Sequence, residues 1–312
     1  MDVQPRPVVV GVDGSEATAA ALRYGLTEAA RRGARLRLVH VVPDNLPVSP
    51  VMPVLRDDLA EIGAAILAEA QAQAHAAAPD VPVEVWLHHG GRSVELARAA
   101  EHADQLVVGR DERPLLERLL RGNTSTGVAA RAAVPTVAVP AGWEPAERGT
   151  VLVGVKSTAH LDALLGDALA VAAERGSRVV LLHAWSLPTE YDDRVQGRVA
   201  HAEWARRTAA DLEPHLQAWR ATYPEVEVEI RSVHEHPVPA LITASAEADL
   251  LVLVRRAHGM PAAVQLGGTA RSVIRAAHCP VRVVPPQLTV GSADRDPLEA
   301  AAPAPRSVRL DP

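Results

Sequence analysis

The sequence predicts an α/β protein made of two doubly wound parallel sheets of five strands each, arranged as a tandem repeat. The first observation is that the chain is written twice. Val8-Val9-Val10-Gly11-Val12-Asp13-Gly14-Ser15 returns as Val151-Leu152-Val153-Gly154-Val155-Lys156-Ser157-Thr158, and Leu38-Val39-His40-Val41 returns as Leu181-Leu182-His183-Ala184, both at an offset of 143. Asp104 to Gly109 returns as Asp249 to Val254, Gly122-Asn123-Thr124 as Gly267-Gly268-Thr269, and Val134-Pro135 as Cys279-Pro280, at an offset of 145. A period this long exceeds that of solenoids, so each copy is a domain. The second observation is a set of short β-branched runs without alternation, the pattern of strands buried on both faces. The third is that these runs alternate with helix-periodic segments, which implies a parallel sheet.

In order, Pro7 to Val12 reads as the first strand. Ser15 is placed to cap a helix with Ala19, Leu22 and Leu26 inward and a stop near Gly33. Leu36 to Val42 is the second strand, and Pro43 to Met52 a Pro-rich loop. A helix from Pro53 carries Leu55, Leu59, Ile62 and Ile66 on one stripe and ends before Pro79. Val83 to Leu87 alternates with Glu84 and Trp86, as an edge or near-edge strand does. Val94 to Ala103 reads as a helix, Leu106 to Gly109 as a strand, Thr124 to Ala132 as a helix and Thr136 to Val139 as the last strand. The expected boundaries are domain 1 at 1–141, a linker at 142–149, domain 2 at 150–286, and a disordered tail at 287–312, where Pro, Ala, Asp and Arg replace apolar residues.

Composition narrows the function classes. The chain has 312 residues, 48% hydrophobic and 22% charged, with 0 Phe, so Val, Leu and Ala must fill the cores. A net charge of −6 gives no general drive toward nucleic acid or anionic membrane. The one cysteine, Cys279, excludes an internal disulfide and suits a reducing compartment. The sequence shows neither a signal-peptide pattern nor an apolar stretch approaching the ~20 residues of a membrane span, so the expectation is cytoplasmic. Walker-type Gly-Lys-Ser/Thr, Gly-x-Ser-x-Gly and Gly-x-Gly-x-x-Gly signatures are absent.

Ligands of open α/β sheets sit beyond the carboxyl ends of the strands, where strand order reverses. In the first copy that edge collects Asp13-Gly14-Ser15, Val41-Val42, His88-His89-Gly90-Gly91, Gly109 and Gly122-Asn123-Thr124-Ser125. Small residues at a helix start can hold an anion, and an aspartate after the first strand can accept from ribose hydroxyls. Val10 to Ser15, Val39 to Val42, Asp104 to Gly109, Gly122 and Val134 to Pro140 together resemble the universal stress protein family. The resemblance covers residues 7–140 and, more loosely, 150–285.

It implies a flavodoxin-like or adenine-nucleotide-hydrolase-like fold. It also implies that Asp13 contacts the nucleoside, that Val41 offers backbone to adenine, and that Gly109, Gly122, Asn123 and Thr124 surround the phosphates. The cofactor so implied is ATP, with Mg²⁺ as its companion ion. The family pattern places a second glycine where this chain has Glu112, and Ser or Thr where it has Asn123. A carboxylate ~4 Å from a phosphate charge repels it by roughly 1 kcal/mol in water and roughly 4 kcal/mol at a protein surface. Arg110, Arg113, Arg118 and Arg121 in the same loop can offset that charge or pair with Glu112, the latter giving a solvated, charge-balanced loop with no ligand.

The second copy departs further. Asp13 becomes Lys156, Gly109 becomes Val254 and Glu112 becomes Ala257. Two readings stand: a decayed site kept as a packing partner, or a rebuilt anion site using Lys156, Arg255, Gly267, Gly268 and Thr269. His88-His89 and His234-Glu235-His236 lack the four-ligand spacing of a zinc site, so no metal centre is expected. His40 and His183 read as hydrogen-bonded core groups, and Cys279 as a buried, inert thiol.

The resemblance implies a stress-response role through binding and regulation; no general base is placed to activate water, so the expectation is not an enzyme, with at most slow hydrolysis. The expectation so implied is ATP binding in domain 1 with domain 2 mainly structural; the alternative is a nucleotide-independent interaction scaffold with degenerate sites in both domains. The resemblance further implies pairing of the two domains through their last strands into an intramolecular pseudo-dimer, with a homodimer as a possible higher state.

Overall fold

The computed structural model describes residues 5–44, 56–110, 124–158, 160–186, 190–255, 266–286 and 307–310. The chain divides into two compact units, residues 1–136 with 287–312, and residues 137–286. The division falls at the start of the last strand of the first copy, a few residues before the expected linker.

In the first unit the order is β1 (Val8–Gly11), α1 (Glu16–Arg32), β2 (Leu36–Val42), α2 (Arg56–Ala77), β3 (Val83–His89), α3 (Arg92–Ala99), β4 (Gln105–Gly109) and α4 (Thr124–Ala129), followed by β5 (Thr136–Val139). β2 lies between β3 and β1, and β4 lies on the other side of β1, all parallel. Leu106 of β4 donates to the carbonyl of Pro135, which leads into β5. Strand order therefore reverses between β1 and β4, the switch point of a doubly wound sheet.

The second unit repeats the scheme: β6 (Thr150–Val155), α5 (Leu161–Arg175), β7 (Arg178–Trp185), α6 (Glu190–Arg220), β8 (Val228–His234), α7 (Pro237–Ser245), β9 (Leu250–Val254), α8 (Gly268–Ala276) and β10 (Val281–Val284). Its parallel order is β10-β9-β6-β7-β8, with the switch between β6 and β9.

The strands form because Val and Leu runs are buried on both faces. Val8, Val9, Val10, Leu36, Leu38, Leu106 and Val107 are sealed in the first unit, and Val151, Val153, Leu181, Leu250 and Val252 in the second. Two expectations are revised. The inward stripe of α2 is Gly63, Leu67, Ala70 and Ala74, while Ile62 is 54% exposed. Small residues win because the helix lies close to the sheet: a Cβ on Gly63 would meet Leu87 at 2.8 Å and His40 at 2.9 Å. The expected tail without fold contains a strand, β11 (Ser307–Leu310), antiparallel to β3. The outer edge of β3 offers unpaired backbone groups, and four residues suffice to pair with them.

Among the described residues no helix is long and apolar enough to cross a membrane. Cys279 is buried, and burial pushes its thiol up to about 12, as expected of an inert cysteine.

Candidate functional site

β1 ends at the switch point, and the turn after it is built around Asp13. Val12 makes the last ladder bond, donating to Val39 O at 2.9 Å. Gly14 follows with φ +76, a conformation L side chains rarely adopt. Asp13 Oδ1 accepts from the Ser15 amide (3.1 Å), the Ser15 hydroxyl (2.6 Å) and the Thr18 hydroxyl (2.8 Å). Asp13 N–H in turn donates to Thr18 Oγ1 at 3.1 Å. Ser15 thus occupies the N-cap position but makes no side-chain cap; its hydroxyl serves Asp13. Partial burial pushes the Asp13 carboxyl up, but the Ser15 and Thr18 hydrogen bonds and the Arg92 charge outweigh it. They hold the group below the usual carboxylate range. Asp13 is nonetheless exposed.

Val41 reaches the same crevice through its backbone. Successive residues of a parallel strand turn their N–H and C=O to opposite neighbours. Val39 O accepts from Val12 on the β1 side and Val42 O from Gly90 on the β3 side. By that alternation Val41 faces the β1 side, beyond Gly11, where the chain has turned aside into Asp13. Its side chain packs in the core with Leu96 and Val128. His40 Nδ1 donates to Val12 O at 2.8 Å and ties the two strand ends together. Burial pushes this imidazole below its ordinary value. The pair repeats in the second unit, with His183 Nδ1 3.1 Å from Val155 O.

Gly109 ends β4 at the same sheet edge. A Cβ there would lie 2.4 Å from Ala17 O, so the first turn of α1 rests directly on this glycine. Thr124 opens α4 and is half-buried. Gly122, Asn123 and Glu112, with Arg113, Arg118 and Arg121, lie outside the described residues. Sequence reasoning missed Arg92, the first residue of α3, which acts electrostatically on both Asp13 and His40. The signal was an arginine directly after Gly90-Gly91 at a helix start.

Beyond this shared histidine tie, the second unit is built differently. Lys156 follows β6 and is exposed, and Gly268 and Thr269 are exposed at the start of α8. Gly267 precedes them with φ +67. Arg255 departs from the expected anion site: it is 2% exposed, and its amide bonds Val284 O at 2.9 Å. Burial pushes its guanidinium below the ordinary value. Val254 stands where Gly109 stands in the first copy, and α5 begins only at Leu161, after His160 with φ +59. Trp185, at the end of β7, stacks on Trp204 of α6 (centroids 5.1 Å apart) and on His234 of β8 (4.3 Å).

Among the described residues no three histidine, cysteine, aspartate or glutamate side chains cluster as a metal site. His88, 6% exposed, instead faces buried Glu95 at 3.6 Å.

A family model described as the universal stress protein family matches residues 5–140 and again 147–285. The chain belongs to the universal stress protein family. It carries two copies of the domain, and residues 307–310 fall beyond both matches. A universal stress protein of Mycobacterium tuberculosis (strain H37Rv) is 28% identical over 291 residues, spanning 88% of this chain and 96% of its own. Another from the same strain is 27% identical over 296 residues, spanning 90% and 97%. A solved universal stress protein from Archaeoglobus fulgidus covers 91% of this chain and 97% of its own with a TM-score of 0.66 at 21% identity, which shows the shared fold.

Proposed function

We propose that this universal stress protein binds an adenine nucleotide, ATP, in its first unit and acts in the cytoplasm as a stress-response regulator by binding and not by turnover. The observation that carries this reading is Asp13: a fixed, exposed carboxylate, held ionised by Ser15 and Thr18, at the β1/β4 switch point. The residues present fit a nucleoside. Asp13 is an acceptor for ribose hydroxyls, and the outward edge of Val41 offers the base an amide and a carbonyl. Gly109, Gly122, Asn123 and Thr124 are assigned to the phosphates, with Arg92 as a nearby cation. Mg²⁺ would enter with the nucleotide, as its counter-ion.

The second unit is assigned a structural role. Its counterpart of Asp13 is a lysine, its Arg255 is turned inward, and the end of β7 is filled by the Trp185 stack. Calorimetric titration of ATP with Mg²⁺ into the whole protein and into Asp13→Ala tests both assignments. One site, lost in the variant, is the expected result. Absence of binding in the parent protein would favour the scaffold reading, and two sites would return Lys156, Gly267, Gly268 and Thr269 to the role of an anion site.

A further inference from the structure

The outer strands of the two units meet the same physical problem with different residues. An edge strand presents a row of backbone N–H and C=O groups to any other strand, and charged side chains are one way to blunt it. β8 reads Val228-Glu229-Ile230-Arg231-Ser232-Val233-His234, and among the described residues no strand lies outside it. It carries its own charges: Arg231 pairs with Glu229 at 3.0 Å, and Arg178 reaches Glu229 at 3.5 Å.

β3 is the same strand in the first copy, with Trp86 in place of Arg231 and Leu87 in place of Ser232. Its one carboxylate, Glu84, is engaged by Arg35 (2.9 Å) and Arg37 (3.2 Å). β3 is therefore the apolar edge of the pair, and this is the edge that carries β11. The register sets Ser307 opposite His88, Val308 opposite Leu87, Arg309 opposite Trp86 and Leu310 opposite Val85. β11 spans the stretch where Trp86 stands in place of Arg231, and its register ends at Val85, beside Glu84. It also lies beyond the family match, which ends at residue 285, so it is an addition to the repeat.

We propose that Ser307–Leu310 is a built-in edge guard: it occupies the β3 edge and keeps that edge from pairing with the β3 edge of a second copy of this chain. Docking in cis is intramolecular, so a second copy must compete with a covalently attached strand. The partner surface is backbone, and Val85, Trp86 and Leu87 supply the apolar contacts of a strand-to-strand interface.

The test uses the full chain with Val308→Pro and Arg309→Pro together. Adjacent residues aim their amides to opposite sides, so one of the two prolines removes a donor that faces β3. Both changes lie outside the family domains, and circular dichroism checks that the fold is intact. Hydrogen-exchange mass spectrometry follows residues 83–89, and sedimentation velocity follows association over a range of concentrations. The expected result is lost protection in β3 at low concentration, with association beyond that of the parent protein as concentration rises. A peptide of residues 305–312 should reverse both, and adding Trp86→Arg, which copies the charge of β8, should suppress the association. Unchanged β3 protection, or lost protection without added association, overturns the proposal.

Discussion

Gly109 offers a prediction whose magnitude follows from distances. A Cβ at this position would stand 2.4 Å from Ala17 O, 2.6 Å from Ala17 C and 2.8 Å from Ala17 Cβ. Non-bonded carbon contacts settle near ~3.5 Å, so the first turn of α1 must retreat by about 1 Å to admit a methyl group. The obstructing atoms are mostly backbone, so no side-chain rotation relieves the clash. Overpacking of this kind costs about 1–3 kcal/mol, and Gly109→Ala should fall in the upper half of that range.

The same turn carries Asp13, Ser15 and Thr18, so the displacement should also weaken ATP by on the order of tenfold, equivalent to about 1.4 kcal/mol. Urea titration at neutral pH measures the first quantity and calorimetry the second. Gly268→Ala is the control, because a Cβ there meets nothing within 4 Å; it should stay within about 0.5 kcal/mol of the parent. If Gly109→Ala also stays within about 0.5 kcal/mol, the packing argument is refuted.

Other outcomes follow from single interactions. Arg282 is buried and forms a two-pronged pair with part-buried Asp167 (2.7 and 2.8 Å), so Asp167→Ala should cost about 1.5–3 kcal/mol through the loss of these charge-assisted hydrogen bonds, read from urea midpoints. Asp13→Asn should be less stable than the parent at pH 7. Because the folded carboxyl titrates below its unfolded value of 3.8, that gap should persist above pH 3.8 and close as pH falls through the lower folded value. His40 and His88 are held neutral by burial while their unfolded forms gain a proton near 6.5, so stability should fall as pH drops from 7 toward 5.5. Replacing His40 by Gln should flatten part of that slope. Trp185→Ala should cost about 3–5 kcal/mol and leave the ATP stoichiometry unchanged, since the stack belongs to the second unit.

The strands were legible because burial on both faces leaves an unmistakable mark: Val8 to Val10 and Leu250 to Val252 are apolar at every position and sealed at every position. The sequence placed Asp13, Val41 and Gly109 at strand ends, and the parallel order β2-β1-β4 brings those ends to one edge of the sheet. What could not be read was anything set by close approach between elements. The inward face of α2 follows Gly63 and Ala70, residues that hydrophobic periodicity undervalues, and not Ile62. Arg92 acts on Asp13 across some eighty residues of sequence. β11 escaped because four residues in a polar tail carry too little pattern to signal a strand, and the demand for one arises at β3.

The divergence of the two copies is coherent in physical terms. In the first, Gly109 lets α1 begin at Glu16 and rest its first turn on β4, which fixes Thr18 against Asp13. In the second, Val254 brings a side chain to that position, and the helix begins only after a left-handed His160. The residue matching Thr18 is then Leu161, a buried apolar group that cannot support a carboxylate. An aspartate at 156 would lack one of the two hydroxyl partners of Asp13, keeping only Thr158 in the place of Ser15, and the chain carries Lys156 there instead. The second copy therefore differs from the first at all three of the positions, Asp13, Gly109 and Thr18, that the first uses together. Restoring aspartate alone, as Lys156→Asp, should not create a second ATP site in calorimetry, because neither the glycine nor the helix start would return with it.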